Sequence, residues 1–223
     1  MKLFINSCQI DEINKAKNTG ILSGITMNPT MVSLLKTDYV KHLKKICDMV
    51  DVPIFAQVTS SKLEDILEEG KALSSIDKKM IIKVNFSEEG IKGMKALKNE
   101  GIQVCATAVH SVLEAIIVGE VEVDHIAVFS GPLTEISEID VNGILSKVVK
   151  IYKESNKRTK VMAAGPRNIK QIVEAAVIGV DEMTCSPNLW NKFFSNPYTL
   201  NRWNTFITDW KNEYGSRNWI TGY

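Results

Sequence analysis

Short apolar runs alternate with longer amphipathic segments from one end of the chain to the other. Eight of these runs have the length of buried strands, and segments with helical periodicity follow them. The predicted strands cover residues 2–6, 24–28, 53–58, 80–85, 103–109, 125–130, 160–164 and 182–185. Eight strand–helix units without a linker predict an α/β fold, a single closed (β/α)8 (TIM) barrel domain over residues 1–223. An open doubly wound sheet is the alternative, although no G-x-G-x-x-G motif follows the first strand.

Capping signals support the helices after the third and fourth predicted strands. Ser61 and Glu64 have the spacing of a capping box ahead of an apolar periodic segment. Ser87 precedes Glu88 and Glu89, which predicts an N-cap followed by two carboxylates in the first helical turn. Both helices are therefore expected to begin directly after their strands.

The charge balance and the cysteines exclude several classes of protein. The 223 residues carry a net charge of +1, so nothing favours a nucleic-acid partner. The chain contains no 18-residue apolar run, and its first residues form a strand rather than a signal peptide, so we expect no membrane contact. Four cysteines without a CxxC pair predict no metal site, no cofactor and free thiols in a reducing cytoplasm.

The C-terminal segment differs in composition from the rest of the chain. From about residue 188 to 223 it is rich in aromatic side chains, and Trp203, Phe206 and Trp210 would share one helical face. All four tryptophans lie in this segment: Trp190, Trp203, Trp210 and Trp219. We expect a helical extension that either covers the barrel's own helices or forms a subunit interface.

One lysine stands inside an apolar run of strand length, residues 81–85 (IIKVN). Burying an ammonium without a partner is costly, so Lys83 should lose its proton or hold a specific contact. A desolvated neutral amine is a nucleophile that attacks carbonyl groups and forms a Schiff base. The alternative is a lysine whose amine reaches solvent or a carboxylate at the strand's end.

In such a barrel the chemistry belongs at the carboxyl ends of the strands. The residues predicted at those ends are Asn6, Asn28, Gln57, Lys83, Thr107, Phe129, Arg167 and Cys185. Lys83 is the strand-end residue that can form an imine, and short polar side chains surround it. Such side chains could hold a hydroxylated substrate or a water, although polar residues at strand ends also satisfy loop backbone.

Several motifs in order along the chain resemble the transaldolase family. They are residues 1–7 (MKLFINS), 24–30 (GITMNPT), 55–58 (FAQV), 82–84 (IKV), 88–91 (EEGI), 101–102 (GI) and 107–109 (TAV). The similarity is to the short branch that includes fructose-6-phosphate aldolase, and it covers nearly the whole chain. It implies a (β/α)8 barrel that acts on a sugar or sugar phosphate and assembles as a homo-oligomer, a pentamer or decamer.

The resemblance assigns a role to individual residues. Lys83 matches the lysine that forms a Schiff base with a ketose or dihydroxyacetone unit, and the imine accepts electrons when the C3–C4 bond breaks. Gln57 matches the glutamine of the aldolase branch, and Thr107 a threonine that helps to place the catalytic water. The residues that the resemblance assigns to substrate binding are Asn28, Thr26, Phe129 and Arg167, the last as a phosphate ligand before the seventh helix.

The chain departs from the pattern of the short branch at four positions. Asn6 stands where the family has an aspartate that handles the substrate hydroxyl proton, and an amide cannot take a proton. Phe129 stands where fructose-6-phosphate aldolase has its catalytic tyrosine, although classical transaldolases have a phenylalanine there. Pro132 and Gly165 replace an arginine and a serine of the phosphate site. His110, just past the fifth strand, could replace the lost base or could cap its loop.

Three functions are consistent with these residues. The first is a class I Schiff-base transaldolase or aldolase, which would trap its donor readily but turn over slowly because of Asn6. The second is a catalytically impaired phosphosugar-binding homologue. The third is an assembly role for the aromatic C-terminus.

Overall fold

The computed structural model describes residues 1–129 and 141–215. Eight parallel strands form a closed barrel in which every strand pairs with its sequence neighbour and β8 pairs with β1. The strands are β1 (Lys2–Asn6), β2 (Gly24–Thr26), β3 (Ile54–Gln57), β4 (Met80–Asn85), β5 (Val104–Val109), β6 (His125–Phe129), β7 (Lys160–Ala164) and β8 (Glu182–Cys185). The predicted (β/α)8 barrel is confirmed, and the open sheet is excluded. Pro132 and Trp219 lie outside the described residues.

The helices follow the strands as the apolar periodicity predicts. They are α1 (Ile10–Asn18), α2 (Pro29–Ser33), α3 (Tyr39–Met49), α4 (Leu63–Ser74), α5 (Glu88–Asn99), α6 (Val112–Gly119), α7 (Val141–Glu154), α8 (Ile169–Ile178), α9 (Pro187–Lys192) and α10 (Pro197–Tyr214). The predicted N-cap of α5 is confirmed, because Ser87 accepts a hydrogen bond from the backbone N–H of Gly90 at 2.9 Å.

The capping box predicted at the start of α4 is wrong. Lys62 is the N-cap residue, and no side chain caps this helix. The loop before α4 is held differently, because the carboxylate of Glu69 accepts hydrogen bonds from the backbone and hydroxyl groups of Thr59 and Ser60. These hydrogen bonds offset the burial that would otherwise raise the pKa of Glu69, so that its pKa is lowered.

Apolar side chains from six of the eight strands, β1 and β3 to β7, pack together in the barrel's interior. One buried cluster on the inner face consists of Phe4, Phe55, Ile81, Cys105, Ala127, Met162 and Ala164. Because side chains alternate along a strand, residues two positions further on point into the barrel as well. At the amino ends of the strands the interior is closed by a buried pair, His125 and Glu182, whose Nδ1 and Oε2 atoms are 2.8 Å apart.

A bulge interrupts this alternation in β5. Ala106 pairs with Ile126 and Val109 pairs with Val128, so two residues of β5 oppose one residue of β6. Ala108 is one of these two bulge residues. Its φ is 58°, in the left-handed region that residues with a side chain rarely adopt. Beyond the bulge, the side chains that point inward therefore come one position later in the sequence than regular alternation would place them.

The chain divides into two compact units, Met1–Trp190 and Asn191–Tyr223. The second unit contains α10, and none of this helix's residues is buried. In the part of the chain that the structure describes, no helix combines the length and the apolar character needed to cross a membrane. All four cysteines are buried and free.

Candidate active site

Lys83 lies on the inner face of β4 and is 7% exposed. Its Nζ donates a hydrogen bond to the carbonyl oxygen of Met27 at 3.1 Å. Among the described residues, no carboxylate is within ion-pair distance of this amine. Burial lowers the pKa of Lys83 and outweighs the opposing effect of Cys105, whose own thiol pKa is raised by burial to about 12. The site therefore holds an amine that gives up its proton more easily than an ordinary lysine.

Gln57 is the neighbour of Lys83 across the β3–β4 ladder. Its Nε2 donates to the Oδ1 atom of Asn85 at 2.9 Å. Asn85 in turn pairs in register with Thr107, which is 1% exposed on β5. Three residues predicted for the site, Lys83, Gln57 and Thr107, thus come from adjacent strands. Asn85, which was not predicted for the site, lies beside them. The signal in the sequence that could have identified it is a polar side chain at the end of an apolar strand.

Asn6 lies opposite Thr26 on the neighbouring strand. The hydroxyl of Thr26 donates to Asn6 Oδ1 at 3.1 Å and is 2.6 Å from the hydroxyl oxygen of Thr184. Asn6 can offer a ligand its Nδ2 amide and the second lone pair of Oδ1, but no group that takes up a proton. Cys185 ends β8 as predicted, but strand alternation puts Thr184 on the inner face beside Thr26.

Phe129 ends β6 and packs partly buried against the barrel's inner cluster. Its ring lies against the imidazole of His110, with the ring centroids 5.2 Å apart and the planes at 30°. Nδ1 of His110 is 2.9 Å from the carbonyl oxygen of Ala108. His110 therefore belongs to the wall of the same end of the barrel as Lys83.

Asn28 and Arg167 lie in loops that follow strands. Oδ1 of Asn28 accepts from the backbone N–H of Met31 at 2.9 Å, so this side chain caps α2. Arg167 is exposed and immediately precedes Asn168, the N-cap of α8. Gly165, at the end of β7, has a φ of 74°, a conformation that would strain the serine expected from the resemblance. The backbone of this loop thus accounts for the glycine.

A second polar region lies at the opposite end of the barrel. A cavity of about 750 Å³ opens at the amino ends of β5 to β7. Its amines are exposed or paired: Lys160 is exposed, and Lys98 lies 2.8 Å from the carboxylate of Asp124. Within residues 1–129 and 141–215, no group of three histidine, cysteine or acidic side chains is placed to hold a metal ion. The buried amine at the carboxyl end is therefore the better candidate for catalysis.

Comparisons with known proteins agree with this geometry. A model of the Transaldolase/Fructose-6-phosphate aldolase family matches residues 3–215. A protein of Kosmotoga olearia named "Probable transaldolase" is 32% identical over 211 residues, covering 95% of this chain and 96% of that protein. "Probable transaldolase" proteins of Dictyoglomus turgidum and Cytophaga hutchinsonii are 34% and 33% identical, with 95% of this chain and 98% of each relative covered.

The closed barrel of eight parallel strands defines a TIM-barrel protein, with a buried lysine on its fourth strand. The chain belongs to the Transaldolase/Fructose-6-phosphate aldolase family. The resemblance read from the sequence is thereby confirmed.

Proposed function

We propose that this protein is a class I transaldolase or aldolase that cleaves and forms carbon–carbon bonds through an imine on Lys83. Its donor would be a ketose, a ketose phosphate or dihydroxyacetone. The observation that carries the proposal is the environment of Lys83, a buried amine bonded to the carbonyl of Met27, with no acidic partner among the described residues. A lysine that merely completed a structural ion pair would have such a partner.

The first half of the reaction forms the imine. Burial favours the neutral amine of Lys83, which attacks the C2 carbonyl of the donor. The resulting carbinolamine must lose its hydroxyl group as water, which needs a group that delivers a proton. Gln57 and Thr107 flank the lysine on β3 and β5 and would hold the water that transfers it. The hydrogen bond from Gln57 to Asn85 leaves the Oε1 of Gln57 as an acceptor for this water.

The second half breaks the C3–C4 bond. The C4 hydroxyl loses a proton, the C3–C4 electron pair moves into the iminium, and an aldehyde leaves an enamine on the lysine. In a transferase the enamine carbon then attacks a new aldehyde. In a lyase it takes up a proton instead. Hydrolysis of the imine finally releases the product and regenerates Lys83.

Reductive trapping tests the proposal. Borohydride added with fructose 6-phosphate or dihydroxyacetone should fix one donor fragment to the protein, at Lys83 by peptide mass spectrometry. Lys83→Met should abolish the adduct and retain the fold. Lys95→Met, a change of the same kind at an exposed position of α5, should leave the adduct intact. An adduct on another lysine, or none at all, would refute the assignment.

We propose further that the protein works as a homo-oligomer in which copies of this chain cover the aromatic face of α10. Positions 200, 203, 207, 210 and 214 follow the three-and-four spacing of a helix-pairing seam. They hold large side chains that are all exposed: Leu200, Trp203, Ile207, Trp210 and Tyr214. So large a contiguous apolar face is rarely left in water. The resemblance suggests a ring of five or ten copies.

A further inference from the structure

The bulge in β5 determines where His110 points. In a regular strand Cys105, Thr107 and Val109 would face inward, and His110 would face the helices. Because two residues of β5 oppose one residue of β6, the register moves by one position, and Val109 pairs with the outward-facing Val128. His110 and Phe129 follow this pair on their chains, and the His110 ring contacts the Phe129 ring, which packs against the barrel's inner cluster.

The hydrogen bond of the ring defines its tautomer. A carbonyl oxygen only accepts, so Nδ1, 2.9 Å from the oxygen of Ala108, carries a hydrogen. In the neutral imidazole Nε2 then bears the lone pair. The same left-handed residue, Ala108, thus both turns the side chain inward and orients the ring. Within residues 1–129 and 141–215 no hydrogen-bond partner of Nε2 is found, so this nitrogen can accept a proton from a ligand.

The reaction proposed above lacks a proton acceptor among the residues predicted for the site. Asn6 presents an amide, and Phe129 has no titratable group. Carboxylates are also absent from the neighbouring inner-face positions, which are occupied by Thr26, Gln57, Thr107 and Thr184. A nearby imidazole is the kind of side chain that most often serves as a general base in enzymes.

We infer that His110 is the catalytic base of carbon–carbon cleavage in this protein, an inference that rests on the proposed function. Nε2 takes the proton of the C4 hydroxyl as the C3–C4 electron pair moves into the Lys83 iminium, and the aldehyde leaves. The imidazolium then returns its proton, either to C3 of the enamine or to the oxygen of the new C4 hydroxyl. Protons and electrons balance without a further reactant.

The groups around His110 leave its Nε2 unblocked. Glu114, on α6, binds the backbone N–H of His110 at 2.6 Å and that of Ser111 at 3.0 Å, so its carboxylate fixes the chain rather than the ring. Phe129, on β6, offers an uncharged ring face. Lys83, on the adjacent strand β4, becomes a cationic iminium during the reaction.

Two variants and a control separate this role from a structural one. His110→Asn keeps a donor near the position of Nδ1 but removes the basic nitrogen. We expect kcat for fructose 6-phosphate cleavage to fall about 10²–10⁴-fold, while borohydride trapping on Lys83 stays within about threefold. His110→Ala should regain turnover when imidazole is added. His42→Gln, at a histidine whose Nε2 donates to the carbonyl of Cys8 at 2.7 Å, should change neither property.

The pH profile of the unmodified protein needs no variant. Because the base must be unprotonated, kcat should fall toward acidic pH along a limb that depends on His110. This acidic limb should disappear from the residual activity of His110→Asn. Unchanged turnover in His110→Asn, a flat profile in the wild type, or no response of His110→Ala to imidazole would each overturn the role of His110 while trapping persists. Failure of trapping in the wild type would instead overturn the imine chemistry, and this inference with it.

Discussion

Gln57 and Asn85 are joined by a hydrogen bond of 2.9 Å between the ends of adjacent strands, on either side of the buried Lys83. The donor is Nε2 of Gln57 and the acceptor is Oδ1 of Asn85. A free glutamine side chain exposes both an oxygen and an NH₂ group, and either could meet a water. The contact with Asn85 selects one orientation, in which Gln57 offers its oxygen to the reaction.

Removal of Asn85 should therefore lower turnover through Gln57. A hydrogen bond of this type contributes about 0.5–1.5 kcal/mol, so Asn85→Ala should reduce kcat about 2- to 10-fold. In a Gln57→Ala background the same change should have little further effect, because the side chain that it positions is gone. Steady-state rates of the four proteins measure the coupling. Additive losses would show that Asn85 acts on something other than Gln57.

Lys83→Met should raise the stability of the fold at neutral pH. Burial lowers the pKa of Lys83 in the folded protein, so the unfolded chain binds more protons, and the wild type gains stability as pH rises through that window. Methionine has no such penalty, and its advantage should be large near pH 7 and shrink toward about pH 10, where an ordinary lysine also loses its proton. Thermal or urea unfolding of both proteins across this range measures the difference. A difference in the free energy of unfolding that does not change with pH would contradict the lowered pKa of Lys83.

Asn6→Asp should compensate for the loss of His110. An aspartate can accept the same hydrogen bond from Thr26 that Asn6 accepts at 3.1 Å, and it can also take a proton. In the His110→Asn background we expect Asn6→Asp to restore at least tenfold in kcat, within the range of about 10²–10⁴ typical of general-base catalysis. Asn6→Gln in the same background is the matched control, since it lengthens the side chain without adding a base. Equal rates for both double variants would show that position 6 does not reach the hydroxyl.

Arg167→Ala should weaken the binding of phosphorylated donors. A charged hydrogen bond contributes about 1.5–3 kcal/mol, so KM for fructose 6-phosphate should rise about 10- to 150-fold. KM for dihydroxyacetone, which has no phosphate, should stay the same. Lys170→Ala removes an exposed charge from the first turn of the same helix, α8, and serves as the control. Parallel changes for the two donors would place Arg167 outside the phosphate site.

The oligomer should depend on the aromatic face of α10. Trp203→Glu and Trp210→Glu place charges on that face, whereas Asn204→Glu lies between them in sequence and off the seam. We expect light scattering at micromolar concentration to show a multimer for the wild type and for Asn204→Glu, and smaller species for the tryptophan variants. A monomeric mass for the wild type would refute the proposal.

The sequence by itself determined the barrel and its central lysine. Eight apolar runs of strand length, each followed by a helical pattern, leave few other folds, and Lys83 is recognisable because a charge interrupts one of those runs. Polar residues at the strand ends pointed to Asn6, Asn28, Gln57 and Thr107, and the resemblance added Thr26. These signals are local, so reading along the chain was sufficient.

Only the tertiary structure decided how these groups meet. The contact between Thr26 and Thr184 joins residues that are 158 positions apart, and it exists because β8 closes the barrel against β1. The inward direction of His110 follows from a bulge that is defined by the pairing of β5 with β6, and a period-two pattern in one strand does not reveal it. Pairing between strands is a long-range property, and for that reason the wall of the site could not be read from β5 alone.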